Sequence, residues 1–75
     1  MDDKYLKAYK HVGMRIKEKR IELKLTQEQL SNRIPKMDRS KISDIENGKE
    51  DYLFSTLLKV CDALKTTLPD LLNEK

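Results

Sequence analysis

A group of side chains that can donate or accept hydrogen bonds lies within residues 39–44 of this 75-residue chain. Its members are Arg39, Ser40, Lys41, Ser43 and Asp44. An arginine guanidinium can donate two parallel hydrogen bonds to O6 and N7 of guanine, and a carboxylate can accept one from the amine of cytosine. These residue types therefore suit contact with base-pair edges, although a carboxylate also repels phosphate. Ordinary solvated helix surface is the competing interpretation of the same residues.

Two short helices joined by a sharp turn, within residues 26–48, are predicted to position these side chains. Thr26 is a good N-cap for the first of them. Leu30 and Ile34 lie four residues apart and would share its apolar face. Pro35 is expected to end the helix, because proline lacks an N–H and disfavours helical geometry at the residue before it.

The second helix of this pair carries the polar group. Asp38 is its candidate N-cap, and Gly48 supplies a left-handed stop at its other end. Ile42 and Ile45 give it a single apolar face. The sequence therefore predicts that the opposite side of this helix is polar and open to solvent.

The composition favours one small all-α domain covering residues 1–75, since Lys, Glu and Leu are frequent whereas Gly and Pro occur twice each. Cys61 is the only cysteine and His11 the only histidine, so neither a disulfide nor a metal site within the chain is expected. We predict no cofactor. Because a Cys–His pair, a Gly-rich phosphate loop and a metal-binding cluster are all missing from the sequence, we also predict that the protein is not an enzyme.

Positive charge is concentrated in the first two thirds of the chain. Residues 1–49 hold 13 Lys or Arg against 8 Asp or Glu, a balance of +5, whereas residues 50–75 hold 3 against 5, or −2. This asymmetry suggests that one end faces a polyanion, although lysines that solubilise helix surfaces would explain most of it. No apolar run approaches membrane-spanning length, and a lone thiol fits a reducing compartment. We therefore expect a cytoplasmic, nucleoid-associated protein with no membrane partner.

The N-terminal third is predicted to be helical, because an apolar stripe recurs at steps of three and four residues. The stripe comprises Tyr5, Tyr9, Val12, Ile16, Arg20 and Leu23. Gly13 is expected to divide an N-terminal extension, residues 1–10, from the core helix. Arg20 is a cation within the stripe, so either its head reaches water or a buried carboxylate pairs with it. Glu46 is the best candidate partner because it follows Ile45 on the inner side of its helix.

Two further helices are predicted within residues 53–72. The buried face of the first would comprise Phe54, Leu57, Leu58, Cys61 and Leu64. Asp51 is its candidate N-cap. A short last helix, Leu68–Leu72, would follow.

Several motifs resemble the lambda-repressor-like family, also called XRE-type or Cro-type helix-turn-helix domains. They are VGxxI at residues 12–16, KRIELKLTQEQL at 19–30, RSKIS at 39–43, IENGK at 45–49, and LLKVCDAL with TLPDLL in residues 57–72. One fragment would be weak evidence, whereas all of them in order at nearly family spacing are specific. The resemblance covers residues 12–72 and implies a compact five-helix DNA-binding domain, here with a helical N-terminal extension.

The resemblance also implies roles for individual residues. The third helix would lie in the major groove of double-stranded DNA, and the second would brace the phosphate backbone. Base contacts are expected from Arg39, Ser40, Ser43 and Asp44. Backbone contacts are expected from Gln27, Lys41, Asn47 and Lys49. Gln27 opens the second helix, where free N–H groups suit a phosphate. The positions of Arg20 and Glu46 match a buried ion pair that some members have.

Two features depart from the family pattern. The turn at residues 34–38 is one residue longer than usual and carries Pro35 where glycine is common. A longer turn would tilt or shift the third helix in the groove. Leu53 stands where the family often has a helix-capping serine, which affects the loop rather than the fold.

The leading functional hypothesis is a sequence-specific transcriptional regulator, most simply a repressor that binds a pseudo-palindromic operator as a homodimer. The dimer would use the last helix (Leu68, Leu71, Leu72) or the N-terminal extension. The alternative is an antitoxin-like or other protein-interaction module in which DNA binding is secondary. A partner would then contact Tyr5, Leu6 and Tyr9, which otherwise cover the helical bundle.

Overall fold

Five α-helices follow one 3₁₀ turn in the computed structural model, which describes residues 3–49 and 51–73. The turn spans Asp3–Tyr5, and the helices are α1 (Leu6–Glu22), α2 (Gln27–Ser31), α3 (Arg39–Glu46), α4 (Phe54–Ala63) and α5 (Leu68–Leu72). The described residues contain no strand, so the all-α, five-helix prediction is confirmed. None of the described helices combines the length and the apolar character needed to cross a membrane.

α1 is one continuous helix, so the predicted division at Gly13 is wrong. Gly13 is buried where α1 crosses the end of α3. A Cβ atom added to it would lie 2.4 Å from the carbonyl oxygens of both Ile45 and Glu46. The glycine therefore permits close approach of two helices rather than a break in one of them.

α2 is shorter than the sequence predicted. It ends at Ser31, four residues before Pro35. The backbone N–H groups of Arg33 and Ile34 then bond to carbonyls three residues back, at 3.0 and 3.1 Å, which makes a tighter 3₁₀-like turn. Ile34 is nevertheless buried, as its spacing from Leu30 predicted. Pro35 disfavours helical geometry at Ile34, so it sets the outer limit that α2 could reach rather than its actual end.

The core draws on all five helices and on the turn after α2. Its buried apolar residues are Ile16, Leu30, Ile34, Ile42, Ile45, Leu57, Val60, Cys61, Leu64 and Leu71. α3 packs against both α1 and α2, and α5 packs against α1 and α4. Leu71 is only 2% exposed, so it belongs to the core of its own chain. It cannot form part of a dimer surface on α5, where only Leu68 and Leu72 remain half-buried.

α4 differs from its predicted form at its N-terminal end. Leu53 occupies the N-cap position and makes no side-chain cap bond, so the expected Asp51 cap is wrong. The buried stripe comprises Leu57, Val60 and Cys61, and it continues to the C-cap Leu64. Phe54 and Leu58 were expected in that stripe but lie to one side of it, 62% and 40% exposed.

α1, α3 and α4 end with the same backbone motif. The residue after each C-cap has a left-handed conformation, at Lys24 (φ 61°), Gly48 (φ 66°) and Lys65 (φ 57°). The next N–H in each case bonds to a carbonyl five residues back, for example Lys49 N to Asp44 O at 2.9 Å. This is the Schellman arrangement, which satisfies carbonyls that a helix end would otherwise leave unpaired.

Candidate nucleic-acid interface

α3 turns its apolar face inward and leaves its other side at the surface. Asp38 caps the N-terminus, where its Oδ1 accepts a hydrogen bond from the Lys41 backbone N–H at 2.8 Å. Ile42 and Ile45 are essentially fully buried against α1 and α2. Because the core covers one face only, the polar side of α3 is not packed into the fold.

The four residues predicted to contact bases all lie on this helix, but they differ in exposure to solvent. Arg39 and Ser40, in the first turn, are exposed, whereas Ser43 and Asp44, about one turn later, are half-buried. A helix that enters the major groove by its N-terminal end presents its first turn to the base edges. Arg39 is the long side chain that is exposed at this end of α3.

The residues predicted to contact the DNA backbone from α3 and its ends have different surroundings. Lys49 is exposed just beyond the helix. Asn47 is also exposed. Its Nδ2 donates a hydrogen bond to the Ser43 carbonyl at 2.9 Å, so this side chain also caps the C-terminal end of α3. Lys41 is half-buried and lines a groove of about 470 Å³ between α3 and the start of α4.

A buried ion pair joins α1 to the end of α3. Arg20 Nε donates to Glu46 Oε2 at 2.6 Å, and another guanidinium nitrogen donates to Oε1 at 3.1 Å. The side chains are 10% and 1% exposed. A further guanidinium N–H donates to the Leu25 carbonyl at 2.7 Å. The bidentate geometry and the additional bond satisfy both charged groups, which a buried pair requires.

Gln27 extends this pair to α2. Its Nε2 donates to Glu46 Oε1 at 3.1 Å, a bond that sequence reasoning missed because the two residues are 19 positions apart. Thr26 and Gln29 form a reciprocal capping box at the same helix end, with bonds of 3.0 and 2.8 Å. The predicted phosphate-binding position is thus held by a network that reaches α1 and α3.

A second connection that sequence reasoning missed fixes the loop after α3. The Tyr9 hydroxyl donates to the Asp51 carboxylate, and the Tyr9 and Tyr52 rings meet edge to face with centroids 5.3 Å apart. The hydrogen bond to Asp51 raises the pKa of Tyr9. Burial raises the pKa of Tyr52 to about 12. Only an apolar role on the α1 stripe could be assigned to Tyr9 from its spacing.

The residues proposed as a partner surface on the N-terminal extension are only partly available. Tyr5 is exposed, whereas Leu6 and Tyr9 are half-buried. A larger exposed apolar area lies at the start of α4, where Leu53 and Phe54 are adjacent. Periodicity gave no sign of it, because the side of a helix that faces the core depends on tertiary packing.

The fold and this surface define a class of protein, and comparison with known families agrees. Residues 13–75 match the family described as Helix-turn-helix domain. The chain belongs to this family, as its resemblance to lambda-repressor-like domains predicted, and helix-turn-helix domains are a class of DNA-binding domain.

A solved structure has the same fold. It is the crystal structure of the clp gene regulator ClgR from C. glutamicum, which superposes with a TM-score of 0.80 at 22% sequence identity. The alignment covers 85% of this chain and 81% of that one. No curated protein matches the chain.

Proposed function

We propose that this protein is a sequence-specific regulator that binds a pseudo-palindromic operator in double-stranded DNA, as a homodimer, and represses transcription by occupancy. The observation that carries the proposal is the exposed polar side of α3, with Arg39 and Ser40 at the end that would enter the major groove first. The half-buried Ser43 and Asp44 would read neighbouring bases. The protein would act in the cytoplasm, on nucleoid DNA.

The network behind α3 supports the proposal. Base readout requires a helix that is held rigidly, because a loosely supported side chain cannot maintain bidentate geometry. Glu46, at the end of α3, bonds to Arg20 of α1 and Gln27 of α2. Gln27 would therefore contact a phosphate from a position fixed relative to the recognition helix. Lys41, Asn47 and Lys49 would supply the remaining backbone contacts.

A dimer is expected because a single module of this size gives only modest affinity for DNA. Two copies would contact half-sites roughly 10 base pairs apart, centre to centre. The buried Leu71 is excluded from the dimer surface. Phe54, Leu58 and Leu68 instead line an apolar groove of about 550 Å³ beside α5, which is the best candidate for a self-complementary contact.

Exposed apolar side chains also favour a second candidate function, an antitoxin-like module whose main partner is a protein. Phe54 lines a pocket together with Tyr9 and Tyr52, at the end of the N-terminal extension, and Leu53 lies beside Tyr52 in the neighbouring groove. A partner that covered Phe54 and Tyr5 would bury apolar surface that the isolated chain leaves in water.

Selection of bound sites from a pool of random duplexes tests the proposal. We expect enrichment of one symmetric site with two equal halves, because a homodimer reads the same half-site twice. Enrichment of a single, unrepeated half-site would remove the dimer but keep the regulator. Binding without enrichment of any sequence, sensitive only to salt, would contradict sequence-specific regulation and favour the protein-interaction module.

A further inference from the structure

α1 and the loop after α3 are in direct backbone contact one turn before the Gly13 crossing. A Cβ atom added to Gly48 would lie 2.8 Å from Lys10 Cγ, 2.9 Å from Lys10 N and 3.0 Å from Lys10 Cα. Lys10 therefore lies directly on Gly48. Gly48 in turn lies between Asn47 and Lys49, the two residues proposed to hold the DNA backbone beyond α3.

Lys10 is free to extend from this contact toward solvent. It is exposed, and its ammonium pairs with no carboxylate among the described residues. The Lys10 atoms nearest to Gly48 are its Cγ and its backbone, and the flexible stem beyond Cγ can direct the charge outward.

Two more exposed lysines lie on the same side of α1. Lys7 is three residues before Lys10 and Lys17 seven residues after it, so all three project from one side of the helix. This lysine side of α1 is adjacent to the side on which Gly13 contacts α3. Residues 3–12 lie outside the family match, which begins at residue 13.

We propose that Lys10 contacts a DNA phosphate and so adds a contact to the helix-turn-helix surface of this chain. The phosphate would belong to the same stretch of DNA backbone that Asn47 and Lys49 contact. The contact rests on the proposed DNA-binding function. Its placement follows from Gly48, which brings the α1 backbone onto the loop without an intervening side chain. The Tyr9 bond to Asp51 and the Tyr9–Tyr52 ring contact hold α1 and the loop in this register.

Binding across a salt series tests the contact. The variant is Lys10→Gln, which removes the charge but keeps the methylene stem that touches Gly48. Lys10→Arg restores the charge, and Lys59→Gln removes one charge from an exposed position on α4 as the matched control. Each protein is titrated against a selected duplex and an unrelated duplex between 50 and 200 mM salt, with thermal melting as the check on folding.

For Lys10→Gln we expect the slope of log K against log salt to become shallower by about 0.9, the value for one lost phosphate contact on duplex DNA. Its affinity deficit relative to the parent should therefore shrink about 3.5-fold between 50 and 200 mM salt. The deficit should be equal on both duplexes, because phosphate contacts carry no sequence information. Lys10→Arg should have the parental slope, and so should Lys59→Gln.

The outcomes separate this contact from the proposed function. The parent protein could select a site while Lys10→Gln and Lys59→Gln both keep its salt slope. That result would overturn the phosphate contact alone and make Lys10 an ordinary surface charge. A parent that selects no site while Lys10→Gln still flattens the slope overturns sequence-specific regulation but keeps the phosphate contact. A parent that binds no duplex overturns both.

Discussion

Gly13 of α1 lies against the carbonyl oxygen of Glu46, the last residue of α3, with no room for a Cβ atom between them. Since α3 carries the proposed base contacts, this approach sets the distance between the recognition helix and the longest helix of the fold. The neighbouring atoms are backbone atoms, which cannot rotate away as a side chain end can.

We therefore predict that Gly13→Ala lowers the free energy of unfolding by about 1–3 kcal/mol, the usual cost of overpacking that forces backbone to move. The loss should appear although alanine favours a helix over glycine by roughly 1 kcal/mol. Urea denaturation measures it, with Lys17→Ala as the control at an exposed position of the same helix. A Gly13→Ala variant as stable as the control would mean that the helices do not cross so closely.

The three Schellman ends give a second prediction, because Gly48 is buried against Lys10 of α1, whereas Lys24 and Lys65 are exposed. Asparagine tolerates the left-handed conformation better than most residues. Lys65→Asn should thus leave stability unchanged or raise it slightly. Gly48→Asn should lower the midpoint of urea unfolding, because its Cβ would meet the Lys10 backbone. Equal midpoints for the two variants would show that backbone conformation alone selects glycine at this site.

The buried pair gives a third prediction. Arg20→Met leaves the Glu46 carboxylate buried without its cation, which typically costs about 3–5 kcal/mol. For a domain of this size, 1 kcal/mol corresponds to about 4–8 °C in Tm, so a large drop should be visible in a thermal melt. Adding Glu46→Leu should recover part of the loss, since no unpaired charge remains. Parental melting by Arg20→Met would argue against a desolvated pair.

Alkaline pH supplies a fourth test, through Tyr52. Burial raises its pKa in the folded protein to about 12, from an ordinary value of 10.0. The unfolded chain therefore releases this proton first, and the stability that depends on neutral Tyr52 is present below pH 10 and lost as the pH rises toward 12. Tyr52→Phe should make the fall in urea midpoint between pH 10 and 12 less steep.

The matched control for this measurement is Tyr5→Phe, because Tyr5 is exposed and packs against no other aromatic ring in the described chain. It should keep the parental dependence on pH. If Tyr52→Phe loses stability above pH 10 as steeply as the parent does, burial of Tyr52 is not what couples its titration to folding.

Much of the fold could be predicted because its signals are local. Thr26 and Asp38 both act as the N-caps that their side chains suggested. Apolar spacing identified Leu30, Ile42 and Ile45 as core residues. The family resemblance added the order of the helices and roles for polar residues, which local signals cannot supply.

The remaining features depend on contacts between distant segments. Gly13 has a low helix propensity in isolation, and only the carbonyls of α3 show why it is needed there. The Tyr9–Asp51 bond joins residues 42 positions apart, and no pattern near either residue indicates it. Phe54 was misplaced because spacing identifies an apolar stripe but does not fix which edge of it the core covers.

Base readout by Arg39 is the central claim, and site selection repeated with Arg39→Ala tests it most directly. We predict that specific binding weakens by about 1–3 kcal/mol and that one base position in each half-site loses its preference. Lys49→Ala, as the phosphate-contact control, should weaken all sequences alike and flatten the salt dependence by about one unit of slope. An Arg39→Ala protein that selects the parental site with every position intact would contradict the proposed docking of α3.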